Sequence, residues 1–256
     1  MLDKWFGING KVALVIGASR GLGREMALAL SHAGADVACV ARNREKLEET
    51  TERICSLGRR AMAIPTDVTK EDDVLKMVRE TIEELETIDI LVYSAGILEA
   101  KPTLHMDLKD WHRTMGTNLT GAFLVCREVG RVMKEKGGGR IILVGSAFGD
   151  RILPEVLPYV VSKGGLLQMV RNLAFEWARY NIRVNGIAPG YFNTQMPSAV
   201  LNDPKTREAI LRRIPLRRVG EPSEIGPLIV YLASEASAYV TGEVIRIDGG
   251  QSYFTA

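Results

Sequence analysis

The sequence predicts an α/β protein of doubly wound architecture: one seven-stranded parallel sheet with helices on both faces. Two observations carry this. Short Val/Ile-rich runs alternate with longer amphipathic stretches at helical spacing throughout the 256 residues, and such alternation implies parallel strands joined by right-handed crossovers. The short runs are nearly continuous in apolar residues, as strands covered on both faces are. No linker, repeat or low-complexity tract interrupts the series, so a single domain over residues 1–256 is expected.

The expected strands are Val12–Ile16, Asp36–Val40, Arg60–Ile64, Ile90–Tyr93, Arg140–Val144, Arg183–Ile187 and Val244–Ile247, each bounded by Gly, Asp or Asn. Between the first four lie Arg24–Ala33, Arg44–Leu57 and Glu71–Leu85, with apolar residues spaced to cover one helical face. Thr69-Lys-Glu-Asp72 reads as a capping box that opens the last of these.

Composition excludes several function classes. Hydrophobic residues make up 46% and charged residues 25%, and 33 Lys/Arg are interleaved with 31 Asp/Glu for a net charge of +2. No electrostatic footprint for nucleic acid results. Cys39, Cys55 and Cys126 have no paired spacing, and His32, His105 and His112 have no ligand-like pattern, so neither a disulfide framework nor a metal site is expected. No basic-then-apolar leader opens the chain and no apolar run reaches the ~18 residues of a membrane span. The expected setting is a reducing cytoplasm. The densest basic cluster is Arg212, Arg213, Arg217 and Arg218; it reads either as a solvated face or as contacts to an anionic substrate.

The first strand runs into Gly17-Ala-Ser19-Arg20-Gly21-Leu22-Gly23 ahead of a helix. Glycine there lets backbone approach a pyrophosphate, and a helix amino terminus offers free N–H groups to it. Cofactor choice follows from the end of the second strand, where a carboxylate would bind the ribose hydroxyls of NAD and repel a 2′-phosphate. Here Ala41-Arg42-Asn43 carries none. Arg42 and Arg20 can supply forks of donors to a phosphate, so NADP(H) is expected in preference to NAD(H).

The glycine spacing resembles that of the short-chain dehydrogenase/reductase family, with Ile16 where the family usually has Thr. The resemblance spans nearly the whole chain and implies a Rossmann-type fold. It identifies Asn118, Ser146, Tyr159 and Lys163 as the catalytic set, and Asp67, Val68, Ala95, Gly96, Pro189, Gly190 and Thr194 as further cofactor contacts. Tyr93-Ser94 stands where the family usually has two Asn residues, so the sheet hydrogen bonds those side chains make cannot form in the same way. Thr241-Gly242 and Asp248-Gly249-Gly250 match segments used in subunit packing, and the resemblance implies a homotetramer.

The catalytic set suits carbonyl reduction, which needs a hydride at carbon and a proton at the developing alkoxide. A spacing of four puts Tyr159 and Lys163 on one helical face. Bringing a phenol from ~10 to near 7 takes about 4 kcal/mol. An ammonium ~5 Å away contributes about 3 kcal/mol at an effective dielectric of ~20. Tyr159 is thus expected as acid/base, Lys163 as the cation that eases its ionisation and holds the nicotinamide ribose, Ser146 as the carbonyl's hydrogen-bond donor, and Asn118 as support for a proton relay.

The loop Ala147–Leu157 and a lid over 191–218 are expected to wall the pocket, with Ala147, Phe148, Leu153, Leu157, Tyr191 and Met196 apolar and Glu99 and Glu155 polar. A small or medium ketone, diketone or keto-sugar acid fits. Within the family the sequence is similar to gluconate 5-dehydrogenase-like members and to 3-oxoacyl-(acyl-carrier-protein) reductases. The latter dock their carrier with arginines; Arg131 stands near one such place and Phe175 at another. A non-catalytic NADP-binding sensor would have no need of Tyr159 and Lys163 together. A serine hydrolase is excluded because Val144 replaces the glycine of a nucleophile elbow and no histidine follows Ser146.

Overall fold

Every residue of Val12–Ile16 is buried, because this strand lies inside the sheet with neighbours on both sides. The computed structural model describes residues 2–196 and 201–253. Its strands are β1 (Val12–Ile16), β2 (Asp36–Ala41), β3 (Ala61–Pro65), β4 (Ile90–Tyr93), β5 (Gly139–Val144), β6 (Ile182–Pro189) and β7 (Val244–Ile247). All pair in parallel in the order β3-β2-β1-β4-β5-β6-β7. The chain builds outward from β1 to β3 and then returns to β4 on the other side of β1. That reversal opens a crevice at the carboxyl ends of β1 and β4, where ligands of such sheets bind.

Period-2 alternation divides the sheet's side chains between two cores. Leu14, Ile16, Leu91 and Tyr93 face α4 (Glu71–Leu85), α6 (Gly121–Glu135) and α7 (Leu157–Trp177). Ala13, Val15, Val37 and Val92 face α2 (Gly21–His32), α3 (Arg44–Ser56) and α9 (Gly226–Ala233). Further α-helices are α1 (Leu2–Phe6), α5 (Leu108–Met115) and α8 (Pro204–Arg212), with short 3-10 turns between elements. Between α5 and α6 the chain makes one π-helical turn, Gly116–Thr120.

The expected strands are all present, three with the expected ends (β1, β4 and β7) and four with an end displaced by a residue or two. α2 begins at Gly21 rather than Arg24, because the glycine loop itself supplies the helix's first turn. The capping box expected at Thr69 is absent. Asp67 Oδ1 accepts from both the amide (3.1 Å) and the hydroxyl (2.8 Å) of Thr69. With Thr69 held in that local turn, Lys70 becomes the N-cap and no side chain caps the helix.

Candidate active site

Three glycines shape the end of β1. Gly17 has φ +90°, and a Cβ there would lie 2.8 Å from the Ala95 nitrogen. A Cβ on Gly23 would lie 2.2 Å from the Gly17 carbonyl oxygen, and Gly21 has φ +57°. Side chains at 17 and 23 would therefore fill the space between loop, helix and β4. Val40 O accepts from the amides of Gly17 (2.7 Å) and Ala18 (3.1 Å), which fixes the loop to β2. No acidic residue stands in the first turn of α2, and no side chain caps it. Open glycine backbone leading into an uncapped helix amino terminus is the donor set a pyrophosphate requires, so these residues fit a dinucleotide.

The other expected cofactor residues come from the glycine loop, the segments after β2, β3 and β4, and the end of β6 with the segment that follows it. Ser19 and Leu22 are half-buried in the loop, and the Ser19 carbonyl accepts from Arg24 Nη2 at 2.7 Å. Thr194 approaches Gly21 from across the crevice, its Cβ 3.8 Å from where a Gly21 Cβ would stand. Arg20 Nη1 donates to Gln195 Oε1 at 2.8 Å, a tie from the glycine loop to the segment after β6 that sequence reasoning missed. Arg42 is exposed beyond β2. Asn43 is committed to capping α3, its Oδ1 accepting from Lys46 N at 2.9 Å. Burial acts to raise the Asp67 carboxyl, but the hydrogen bonds from Thr69 and the charge of Arg42 hold it below its ordinary value. Val68 beside it is buried. Pro189 O accepts from Ala147 N at 2.9 Å, and Gly190 N donates to Ile247 O at 3.0 Å.

Asn118, Ser146, Tyr159 and Lys163, which arrive from three separate segments, converge and are all buried. Ser146 follows β5 and hydrogen-bonds the Tyr159 phenol; its Oγ also accepts from Phe148 N at 3.1 Å. Lys163 sits one turn after Tyr159 on α7. Its Nζ lies 5.8 Å from the centre of the Tyr159 ring and donates to Val144 O at 2.8 Å. Asn118, in the π turn, accepts from Ile97 N at 2.8 Å through Oδ1. Its Nδ2 donates to Ile97 O and to Ser162 Oγ, both at 3.0 Å. The Ser162 hydroxyl in turn donates to Tyr159 O at 2.7 Å. Ser162 is a link sequence reasoning missed; its place between Tyr159 and Lys163 in the motif was the available signal. Gly96 joins the two halves of the site, since a Cβ there would lie 3.4 Å from Lys163 Nζ and 3.6 Å from Asn118 Oδ1.

Burial sets the proton affinities. It pushes the Tyr159 phenol above its ordinary value, with Tyr191 adding to this and the Ser146 hydrogen bond opposing it. It draws the Lys163 ammonium down to about 8. Near neutrality the site therefore holds a neutral phenol as proton donor beside a lysine close to its own titration.

On the substrate side Ala147 is buried, Phe148 and Leu153 are half-buried and Met196 is exposed. Phe148 meets Tyr191 edge to face, with ring centres 5.8 Å apart and planes at 75°. Leu157 begins α7. Glu99 pairs with Arg113, and Glu155 gives its carbonyl to Lys101 N at 2.7 Å. The lid expected over 191–218 includes residues 197–200, which lie outside the described residues. In the basic cluster Arg212 pairs with Glu208 (2.6 Å), Arg218 with Glu224 (2.6 Å), and Arg217 donates to Arg212 O. Arg213 has no ion pair among the described residues, and its charge acts on the Tyr191 phenol, where it opposes the upward effect of burial. No group of three or more His, Cys, Asp or Glu among the described residues is placed to hold a metal ion. No described helix is long and apolar enough to cross a membrane.

Comparison with known proteins places this geometry. A family model described as enoyl-(acyl carrier protein) reductase matches residues 17–252. The chain is 38% identical over 251 residues to 2-dehydro-3-deoxy-D-gluconate 5-dehydrogenase of Escherichia coli, covering 98% of each protein. It is 35% identical over 245 residues to gluconate 5-dehydrogenase of Gluconobacter oxydans, covering 96% of each. Among solved structures it resembles a gluconate 5-dehydrogenase from Burkholderia cenocepacia in complex with NADP and tartrate, with TM-score 0.95, 34% identity and 99% of both chains covered.

Proposed function

The chain belongs to the short-chain dehydrogenase/reductase family and is an oxidoreductase of the secondary alcohol/ketone couple; from that premise we propose that it reduces the keto group of a sugar acid with NADPH, using Tyr159 as the proton donor. The observation that carries the reading is the meeting of Ser146, Tyr159 and Lys163 beside the glycine cradle. Gly17, Ser19, Gly21, Leu22 and Gly23 hold the pyrophosphate, and Asp67, Val68, Ala95 and Gly96 line the adenosine side. Pro189, Gly190 and Thr194 hold the nicotinamide end. The bound cofactor supplies the hydride and, once oxidised, a positive ring. Ser146 donates a hydrogen bond to the carbonyl oxygen and Tyr159 gives its proton to the alkoxide as it forms. Lys163, which faces Gly96 together with Asn118, returns a proton toward the phenol; Asn118 supports that relay, and its hydrogen bond to Ser162 ties it to the Tyr159 backbone.

Arg42 and Arg20 support NADP(H) over NAD(H), as does the NADP held by the Burkholderia structure. The missing carboxylate after β2 is the physical ground, because nothing there repels a 2′-phosphate. The expected result is a kcat/KM for NADPH at least about 10-fold above that for NADH, reversed in sign by Arg42→Glu. Equal use of both cofactors by the wild type would overturn the preference. The substrate class rests on Arg213, the one cation of its cluster whose guanidinium has neither an ion pair nor a hydrogen-bond partner among the described residues, and whose charge reaches Tyr191 on the pocket wall. Its guanidinium suits a carboxylate. With 5-keto-D-gluconate, Arg213→Ala is expected to raise KM about 10-fold or more and to leave turnover of a neutral diketone unchanged. An equal effect on both substrates removes the carboxylate assignment.

An acetoacetyl thioester turned over far faster than either would favour a carrier-protein substrate. Against that reading, Arg131 is already paired with Glu128 at 2.7 Å and Phe175 stands 92% exposed where a docking arginine was expected. NADPH binding without oxidation across the panel would favour a sensor. The cytoplasm is the proposed setting, supported by Cys39, Cys55 and Cys126, all three of which are free thiols. A homotetramer is the proposed assembly, supported by exposed apolar residues such as Phe123 and Phe175 that a partner would cover.

A further inference from the structure

Tyr93 departs from the family pattern and takes no part in the chemistry described above, yet it is fully buried at the carboxyl end of β4. Its hydroxyl donates to Thr117 O at 2.6 Å. Thr117 lies in the π turn next to Asn118, and the hydrogen bonds of that turn explain the contact. In a regular α-helix the Thr117 carbonyl would accept from the amide of Gly121. Here the Gly121 amide goes to Gly116 O instead, one residue further back. The widened turn takes from Thr117 O the donor a regular helix would give it, and the phenol supplies a replacement. Glycine at 121 makes room for this: a Cβ there would lie 2.7 Å from Tyr93 Oη and 2.9 Å from Val68 Cγ2. Burial pushes the phenol far above its ordinary value, so it remains a donor at every working pH.

We infer that Tyr93 is a positioning residue for the reaction, holding the π turn open so that Asn118 meets Ile97 and Ser162. The inference rests on the proposed role of Asn118. Without the phenol hydroxyl the Thr117 carbonyl loses this partner, and the remedy open to it is to recapture the Gly121 amide. That rewinds the turn to α pattern and rotates Asn118 by about 100° about the helix axis. Such a rotation carries its amide away from Ile97 and Ser162 while leaving the glycine cradle and Arg213 in place.

The test uses Tyr93→Phe, Asn118→Ala and the double variant of the full chain, assayed with NADPH and 5-keto-D-gluconate and checked by thermal melting. Tyr93→Phe is expected to lower kcat about 10- to 100-fold with KM for both substrates changed less than about 2-fold. Acting through Asn118, it should add nothing further in the double variant, which is expected to match Asn118→Ala alone. A merely structural role would give independent, multiplicative losses, or a fall in melting temperature with kcat intact; either result overturns the inference. Full activity in Asn118→Ala overturns the relay role and the inference together, whereas an impaired Asn118→Ala beside an unaffected Tyr93→Phe overturns the inference alone. Should Tyr93→Phe fail to fold, Tyr93→Met removes the same hydroxyl with a flexible apolar chain and is read against the same outcomes.

Discussion

Tyr159→Phe is expected to lower kcat for carbonyl reduction about 1000-fold while leaving the dissociation constant for NADPH within about 3-fold. The substitution keeps the ring, which is buried on α7 beside Lys163, and removes only the hydroxyl that Ser146 engages. The proposed cofactor contacts reside chiefly in the glycine loop and the strand ends, so binding should survive while proton delivery is lost. The pH dependence sharpens the test. Burial raises the phenol above its ordinary value, so in the free protein it is protonated through the neutral range. Reduction uses the protonated form and should proceed at neutral pH. Oxidation of the alcohol needs the phenolate, and its rate in the wild type should keep climbing as the solution becomes alkaline. In Tyr159→Phe that climb should vanish. Retention of more than about a tenth of wild-type turnover, or an unchanged alkaline limb, would remove Tyr159 from its assigned role.

Local features of this protein were legible before the fold was known. The buried strand Val12–Ile16 followed by Gly17, Gly21 and Gly23 is contiguous in sequence, and backbone conformation decides it; the positive φ of Gly17 and Gly21 follows. Tyr159 and Lys163 are four residues apart on one helix, so periodicity alone aligns them. What escaped reading depends on hydrogen-bond and ion-pair partners that the sequence pattern does not single out. Tyr93 looked like a lost sheet contact, because its partner Thr117 O becomes available only through a π turn that no propensity signals. Arg213 could not be told from Arg212, Arg217 and Arg218 until Glu208, Glu224 and a backbone carbonyl were seen to occupy those three. Arg20 read as a phosphate contact, and its side chain is also tied to Gln195. Even a local motif failed at Thr69, where Asp67 two residues earlier competed for the hydroxyl that was to cap α4. Hydrogen-bond competition, in each case, was settled by three-dimensional placement.

Lys163→Met is expected to stabilise the fold while abolishing useful turnover. The ammonium is buried, and burial draws its pKa from 10.5 to about 8. A shift of that size corresponds to roughly 3 kcal/mol of differential interaction against the charged form. The hydrogen bond to Val144 O at 2.8 Å offsets part of it, and losing that bond leaves a carbonyl unpaired at about 1–3 kcal/mol. The net gain at pH 7 should be about 1 kcal/mol, or a melting temperature about 2–4 °C higher. The sign of the pH effect follows from proton counts. Between about 8 and 10.5 the unfolded wild type binds more protons at this residue than the folded one, so wild-type stability rises with pH through that window. Below it both states carry the charge and the burial penalty is fully present. The advantage of the methionine variant should therefore be greatest at or below pH 7 and shrink toward pH 10.5, where the wild-type lysine is neutral in the fold. Turnover should fall at least about 100-fold at every pH, because no cation remains beside Tyr159 to favour its ionisation or to pass a proton back. A variant markedly less stable than the wild type at pH 7 would mean that Lys163 holds the fold together, and the destabilised ammonium would then no longer explain why a lysine is kept at this buried site.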